Sequence, residues 1–273
     1  MPQCLLIPAD SDLLVDFELK NITGDYREYY KIKRNNLFAN IQRYPDLWEF
    51  FRKLDEIWRR EIGDLEVTTA PDRIFPMMLY INAHAKMRIS IELGFSSCIQ
   101  EARSILRDAV ENVAHAHHML RDPKNLKIWL DKDDPQGKKA FHQCFEANKK
   151  ANLFKGIEDL YEKYGQLSDA GSHPTLISLH NRMSIVDTPE GKSMRLHYTG
   201  APDERTFATE LFSRLLTCFV MERTFYEDYK GRLHLDAVLV DMRTSFEAFK
   251  EDLRQKMIVR YNMKPPTQRP TKP

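Results

Sequence analysis

The sequence predicts an all-α fold, a multi-helix bundle into which one small β-hairpin is inserted near residues 176–199. Two observations favour this fold. Apolar residues recur at helical spacing through most of the chain, and short polar or proline-containing stretches separate the periodic segments. Alternating β-type residues occur on both sides of the turn sequence TPEG. Because the loops are short, consecutive helices are expected to pack antiparallel.

The N-terminal part of the chain predicts three helices. The stretch 25–61 has helical character, with Pro45 ending one helix and opening the next, which Gly63 ends. A third helix runs from about Pro71 to about Leu93, where Gly94 interrupts it.

The fourth helix has the clearest pattern in the chain. Ser96 or Ser97 is expected to cap its N-terminus, and the helix ends near Arg121. Its apolar residues form one stripe if each residue turns the helix by about 100°. These residues are Ile99, Ala102, Leu106, Ala109, Val113 and Leu120. The stripe predicts the face that packs into the core.

The remainder of the chain predicts five more helices around the hairpin. A short helix starts at Pro123 and holds Trp129, and the hairpin turn is expected at Pro189–Gly191. The longer helices are expected at about 138–152, 156–169, 203–229 and 234–258. The predicted organisation is an N-terminal tail at 1–24, a single helical domain at 25–260 and a disordered basic tail at 261–273.

The overall charge excludes some classes of function. Lys and Arg number 41 and Asp and Glu 40, so the formal net charge is +1 and no global field attracts nucleic acid or an anionic membrane. The N-terminus lacks the features of a secretion signal, and no apolar run approaches the roughly 20 residues that a membrane span needs. We therefore expect a cytoplasmic protein without membrane association.

Cysteines and glycines argue against several kinds of chemistry. Cys4, Cys98, Cys144 and Cys218 are widely spaced, which favours buried, reduced thiols that act as small hydrophobic residues. Neither of the common glycine-rich nucleotide loops occurs, nor does the Gly-x-Ser-x-Gly motif. No cofactor is expected.

The fourth helix also carries polar residues that are candidates for a site. Arg107 and Glu111 lie four residues apart and share a face, so they form either a solvated surface pair or part of a polar site between helices. His117 falls on the apolar stripe, where a hydrogen-bonded core histidine is the more usual interpretation. His115 and His118 are expected on the polar side. With Glu111 they could form one edge of a metal site, although the repeated Glu-x-x-His pattern of di-iron bundles does not occur.

A second group of polar residues lies where the sixth helix ends. Tyr164 and Ser168 share a helical face, and His173 follows the glycine at which the helix gives way. One interpretation is a structural polar cluster with Arg107 and Glu111 that holds the fourth and sixth helices in register. The alternative is a catalytic or ligand-binding pocket built from the same residues.

These two groups together resemble an α-helical superfamily related to HEPN domains, which includes uncharacterised bacterial and phage-associated families. The resemblance covers about residues 75–230. The matching residues are Arg107, Glu111, Tyr164, Leu167, Ser168 and His173. The resemblance implies a non-catalytic binding or regulatory module, for example in phage defence or stress response. It also implies a homodimer with a protein or RNA partner.

The resemblance further implies an alternative activity, metal-independent cleavage of RNA by Arg107 with His115 or His173. HEPN ribonucleases place four to six residues between a phosphate-binding arginine and an acid–base histidine, and two copies meet across a dimer. Here seven residues separate Arg107 from His115, and no arginine precedes His173 at a suitable spacing. The spacing matters because the arginine must hold the phosphate while the histidine reaches the attacked oxygen.

Overall fold

The structure, a computed structural model, confirms a helical bundle with a small two-stranded hairpin inserted between helices. It describes residues 24–65, 71–146, 150–171, 182–189, 191–196, 203–233 and 235–262. The first four helices are α1 (Asp25–Arg43), α2 (Pro45–Asp64), α3 (Pro71–Phe95) and α4 (Ile99–Arg121). The next four are α5 (Pro123–Leu130), α6 (Gly137–Phe145), α7 (Lys150–Leu153) and α8 (Glu158–Gly171). The strands β1 (Met183–Thr188) and β2 (Gly191–Leu196) precede α9 (Glu204–Tyr229) and α10 (Ala237–Tyr261).

Helix α4 lies at the centre of the bundle. It makes its most extensive contacts with α3 and also packs against α8 and α9, while α2 packs against α9 and α10. Five of the six residues predicted for its apolar stripe are buried, and Leu120 is partly buried against the same core. The stripe is therefore confirmed as the core-facing side of α4. Burial of side chains such as these contributes roughly 1.5–3 kcal/mol each for the larger residues.

The turn between α3 and α4 differs from the prediction. Cys98, not Ser96 or Ser97, is the N-cap residue of α4, and no side chain caps the helix. Ser97 has a φ of 64°, and the Cys98 amide donates to the Leu93 carbonyl at 2.8 Å. The backbone thus closes the end of α3 in a left-handed turn, which occupies the position where a serine cap was expected.

The helix predicted at 138–152 is also different in the structure. It is divided into α6 and the single turn α7, and residues 147–149 between them lie outside the described ranges. Gly156, with a φ of 91°, then turns the chain into α8. The division allows α5, α6 and α7 to surround a cavity beside α4.

The hairpin is a two-stranded antiparallel sheet in which Ile185 pairs with Met194. Both side chains are exposed, Ile185 by 70% and Met194 by 60%. Arg182 at the base of β1 forms an ion pair of 2.5 Å with Glu101 on α4. The pairing of Thr188 with Gly191 confirms the predicted position of the turn, whereas residues 176–181 and 197–199 of the predicted hairpin lie outside the described part.

Two connecting segments, one after α2 and one after α9, pair with each other. Leu65 after α2 pairs with Leu233 after α9 in an isolated antiparallel bridge. Helix α10 continues to Tyr261, three residues beyond its predicted end. Most of the predicted tails at 1–24 and 261–273 fall outside the described residues, namely 1–23 and 263–273. None of the described helices is both long and apolar enough to cross a membrane.

Candidate functional site

Arg107, Glu111 and Tyr164 meet between α4 and α8; we call these three residues the polar cluster. The Tyr164 hydroxyl donates to Glu111 Oε1 at 2.5 Å. Arg107 Nη2 donates to the Tyr164 oxygen at 3.0 Å and to Glu111 Oε1 at 3.3 Å. Helical spacing places Arg107 and Glu111 on one face of α4, and the buried Tyr164 ring reaches them from α8. The structure confirms the expected convergence for these three of the five residues named for it, which also included Ser168 and His173.

The charges within the polar cluster compensate each other. The Arg107 and Glu111 side chains are 32% and 31% exposed, so the pair is neither a solvated surface pair nor fully buried. Burial opposes the charged guanidinium, but the Tyr164 hydrogen bond and the Glu111 charge together raise the pKa of Arg107. The Arg107 guanidinium also lies 5.3 Å from the centre of the Tyr164 ring. The cluster therefore joins two helices without carrying net charge.

Of the other residues predicted for a site at the end of α8, the structure describes Leu167 and Ser168 but not His173. Leu167 is buried, and the Ser168 hydroxyl is buried without a hydrogen-bond partner among the described residues. His173 lies outside the described residues, so its role at the end of α8 stays a prediction.

The sequence predicted that His115 points to the polar side of α4, but in the structure its ring packs against aromatic side chains. Its ring lies 5.0 Å from that of Phe145 and 6.3 Å from that of Phe141. Burial lowers the pKa of His115 to about 4, so the imidazole is neutral near pH 7. The expectation failed because α6 packs against this side of α4 and supplies both aromatic rings.

His117 has the character of a core histidine, with one unsatisfied atom. Its Nδ1 lies 3.0 Å from both carboxylate oxygens of Asp228, and Asp228 also accepts a 2.5 Å hydrogen bond from the Tyr80 hydroxyl. The His117 Nε2 atom is buried and has no partner in the described structure. A cavity of about 410 Å³ lies beside it, bordered by Gly156 and Arg223.

His118 contacts a cysteine, unlike His115 and His117. Its Nε2 lies 3.3 Å from the Cys144 sulfur, and the Cys144 thiol donates to Asn125 Oδ1 at 3.4 Å. Cys144 is only partly buried, which corrects the expectation that all the cysteines are buried hydrophobic residues. Glu111 and His118 are thus engaged with different partners, and within the described ranges no group of three His, Cys, Asp or Glu side chains is arranged to hold a metal ion.

Two further ionic networks were not predicted from the sequence. Arg103 and Arg214 both donate to Glu210, and Arg214 is buried where α3, α4 and α9 meet. Arg243 bonds the buried carboxyls of both Glu61 and Glu222, which joins α10 to α2 and α9. Arg103 precedes Arg107 by one turn of α4, so helical spacing could have predicted that both arginines lie on the same face of the helix. The partners in the second network come from three helices and share no local pattern.

The fold and the polar cluster define a helical-bundle protein whose central helices are joined by a neutral, hydrogen-bonded ion pair. No family model, curated protein or solved structure matches the chain. The similarity to HEPN-related families therefore stays a prediction that depends on the residues quoted for it.

Proposed function

We propose that this protein is a non-catalytic binding module that works as a homodimer. The observation that carries the proposal is the state of Arg107. The guanidinium that an RNA-cleaving site would need for the phosphate is hydrogen-bonded to both Glu111 and Tyr164. A phosphate would have to compete with a carboxylate that already neutralises this charge. The polar cluster is better suited to fixing α4 against α8 than to binding an anion.

The alternative ribonuclease with Arg107 and His115 has a further difficulty. The two residues are eight positions apart on α4, which corresponds to roughly 12 Å along the helix axis. His115 also packs against the rings of Phe141 and Phe145. An acid–base histidine must come within hydrogen-bond reach of the reacting oxygen. A ribonuclease that uses Arg107 with His173 is therefore the version of the alternative that an experiment has to test.

The hairpin supports the homodimer part of the proposal. A two-stranded sheet is only marginally stable by itself, and strand edges readily pair with another strand. Apart from the Arg182–Glu101 ion pair, we find no extensive packing of a described helix against β1 or β2. Ile185 and Met194 leave an apolar surface on one face of this sheet. A second hairpin that pairs edge to edge would complete a four-stranded sheet and place the two Ile185 side chains next to each other on that face.

The charges of the two strands favour β1 as the edge that pairs with the second copy. Strand β2 contains Lys192 and Arg195, and basic residues on an edge discourage strand addition. Strand β1 contains only one charged residue, Asp187. In a symmetric antiparallel pair centred on Ile185, Asp187 lies opposite Met183 of the other copy, so no like charges face each other. The interface is then self-complementary.

The dimer is tested by Ile185→Lys, with mass measured by light scattering after gel filtration. We expect the wild-type protein to elute with twice the mass of one chain and the variant with the mass of one chain, since a lysine pair at the centre of the interface is repulsive. Val259→Lys is the matched control, because Val259 is 82% exposed and lies on α10, which is not part of the hairpin. A wild-type monomer, or a variant that stays dimeric, would contradict the proposed interface.

The absence of turnover is tested with RNA. Purified protein at stoichiometric amounts is incubated with a mixed single-stranded RNA pool without added metal, and the pool is expected to stay intact. Cleavage that is lost in His173→Ala would overturn the non-catalytic proposal in favour of the ribonuclease. The RNA assay and the mass measurement use different variants and different readouts, so this result and the dimer result can be told apart.

A further inference from the structure

We infer that Cys144 is a nucleophilic thiol in a ligand-sized cavity, where it is modified by small anionic disulfides. This site shares no residue with the polar cluster or the hairpin and does not depend on the proposed function. The cavity has a volume of about 590 Å³ and lies between α4, α5, α6 and the segment that includes α7. Pockets for small molecules are commonly of this size.

The contacts of Cys144 place a base and an acceptor beside its sulfur. His118 Nε2 lies 3.3 Å from the sulfur, and Asn125 Oδ1 lies 3.4 Å from it. The Asn125 amide also donates to the His118 carbonyl at 2.9 Å, so one side chain fixes the relation between α4 and α6. A thiol and an imidazole within hydrogen-bond distance form the usual arrangement of an activated cysteine.

His118 is in the uncharged form, which is the form that can accept a proton. Burial, and then the charges of Arg121 and His117, lower the pKa of His118, so the imidazole is neutral near pH 7. Its Nδ1 is buried without a partner in the described structure, which leaves Nε2 and its contact with the sulfur as the bonded side of the ring. A neutral imidazole can take the thiol proton as the sulfur attacks.

The other two described cysteines are not equivalent to Cys144. Cys98 is buried, and burial raises the pKa of its thiol. Cys218 is fully buried on α9, and burial raises its pKa strongly. A reagent in solution therefore meets one partly exposed thiol among these three, and it meets that thiol beside a base.

The lining of the cavity indicates the kind of disulfide that it would accept. Arg121 and Lys155 contribute two positive charges against one negative charge from Asp122. The Asp122 carboxylate is already bonded to the backbone amide of Lys124 at the start of α5. The side-chain amides of Gln143 and Asn152 add polar groups to the wall. A small disulfide with carboxylate and amide groups fits this lining by charge and hydrogen bonding.

The reaction is a thiol–disulfide exchange. The Cys144 proton passes to His118 Nε2, and the sulfur attacks one sulfur of the small disulfide. A new bond forms between Cys144 and that sulfur while the original sulfur–sulfur bond breaks. The leaving thiolate takes a proton from the His118 imidazolium. The protein thiol is oxidised to a mixed disulfide, and half of the small disulfide is reduced to a thiol.

The test compares two disulfide probes in a Cys4→Ser background, because Cys4 lies outside the described residues. The probes are dithiobis(nitrobenzoate), which carries two carboxylates, and neutral dithiodipyridine; the released thiol is followed by absorbance. We expect one thiol to react about tenfold or more faster than any other, and peptide mapping to place it at Cys144. Cys144→Ser removes this phase. His118→Asn slows both probes, whereas Arg121→Gln slows only the anionic probe.

His142→Asn is the matched control, since His142 lies on α6 near Cys144 but is 62% exposed and pairs with Glu146. It is expected to leave both rates unchanged. A general loss of structure would make every thiol reactive and would not separate the two probes, so the split between probes distinguishes a role in the site from a role in folding. Equal rates at Cys144 for wild type and His118→Asn, or the fast phase mapping to another cysteine, would overturn the inference.

Discussion

Glu111 is the single side chain on which the polar cluster depends, because it accepts hydrogen bonds from both other members. Glu111→Ala would leave a half-buried guanidinium and a buried tyrosine hydroxyl without that acceptor. We expect a loss of about 1–3 kcal/mol in the free energy of unfolding. Urea denaturation followed by circular dichroism measures the change.

The control for this change is Glu56→Ala on α2. Glu56 pairs with Arg52 at the same spacing and the same distance, 3.3 Å, but these side chains are more exposed, 53% for Arg52 and 46% for Glu56. Its removal is expected to alter the free energy of unfolding by only a few tenths of a kcal/mol. Equal effects of the two substitutions would mean that the polar cluster is merely a surface ion pair.

At the scale of single residues, the sequence predicted side-chain positions correctly where they depend on the face of one helix. Helical spacing placed Arg107 and Glu111 on one face of α4, whereas their contact with Tyr164, which the structure shows, was a hypothesis tied to the family resemblance. The orientation of His115 did not follow, because α4 is covered on more than one side and its second cover, α6, comes from a distant part of the sequence. The pairing of Cys144 with His118 was missed for the same reason.

At the scale of elements, the start of α8 depends on a glycine. Gly156 has a φ of 91°, and a Cβ atom there would lie 3.3 Å from His117 Nε2. Gly156→Ala is therefore expected to destabilise the protein by about 1–2 kcal/mol, since the left-handed region disfavours a side chain. Thermal unfolding at fixed pH measures the loss.

Gly165, within the same helix, is the matched comparison. It lies inside α8, and a Cβ atom there would meet nothing within 4 Å. Gly165→Ala is expected to stabilise the protein by roughly 0.5–1 kcal/mol, because alanine restricts the unfolded chain and favours the helix. Two substitutions of the same kind would thus act in opposite directions. A stabilising effect at Gly156 would contradict the assignment of its backbone conformation.

The elements themselves were largely predictable, and their errors have physical causes. Proline and glycine signals located α2, α3 and α5, since these residues act through local backbone geometry. The break between α6 and α7 had no such signal, because the sequence there keeps a helical composition. The serine cap of α4 failed because the backbone turn at Ser97 satisfied the end of α3 first.

At the scale of the whole molecule, the network of Arg243 with two buried carboxyls makes stability depend on pH. Burial, and then the neighbouring Glu222 charge, raise the pKa of Glu61 to about 9. A carboxyl with a raised pKa contributes fully to stability below its ordinary pKa of 4.5, and the contribution falls as the pH rises towards 9. One such group changes the free energy of unfolding by at most about 1.4 kcal/mol per pH unit.

Glu61→Gln should flatten this dependence. The amide resembles the protonated carboxyl, so we expect the variant to gain stability over wild type as the pH is raised from about 5 to 9. Denaturant unfolding at several pH values measures the two curves. Glu227→Gln on α9, whose carboxylate is about half-exposed and pairs with Lys230 outside this network, should leave the slope unchanged. Parallel curves for wild type and Glu61→Gln would show that Glu61 is ionised throughout.

The bridge between Leu65 and Leu233 has a consequence for choosing fragments of this protein. It lies where α2 and α9 end, and aromatic residues of α2 contact those of α9, with Phe50 beside Phe212 and Trp58 beside Phe225. A fragment trimmed to residues 75–230, the region with the family resemblance, would uncover these rings. Expression boundaries drawn from sequence similarity would therefore cut through the core, and a useful minimal fragment has to retain α2 and α10.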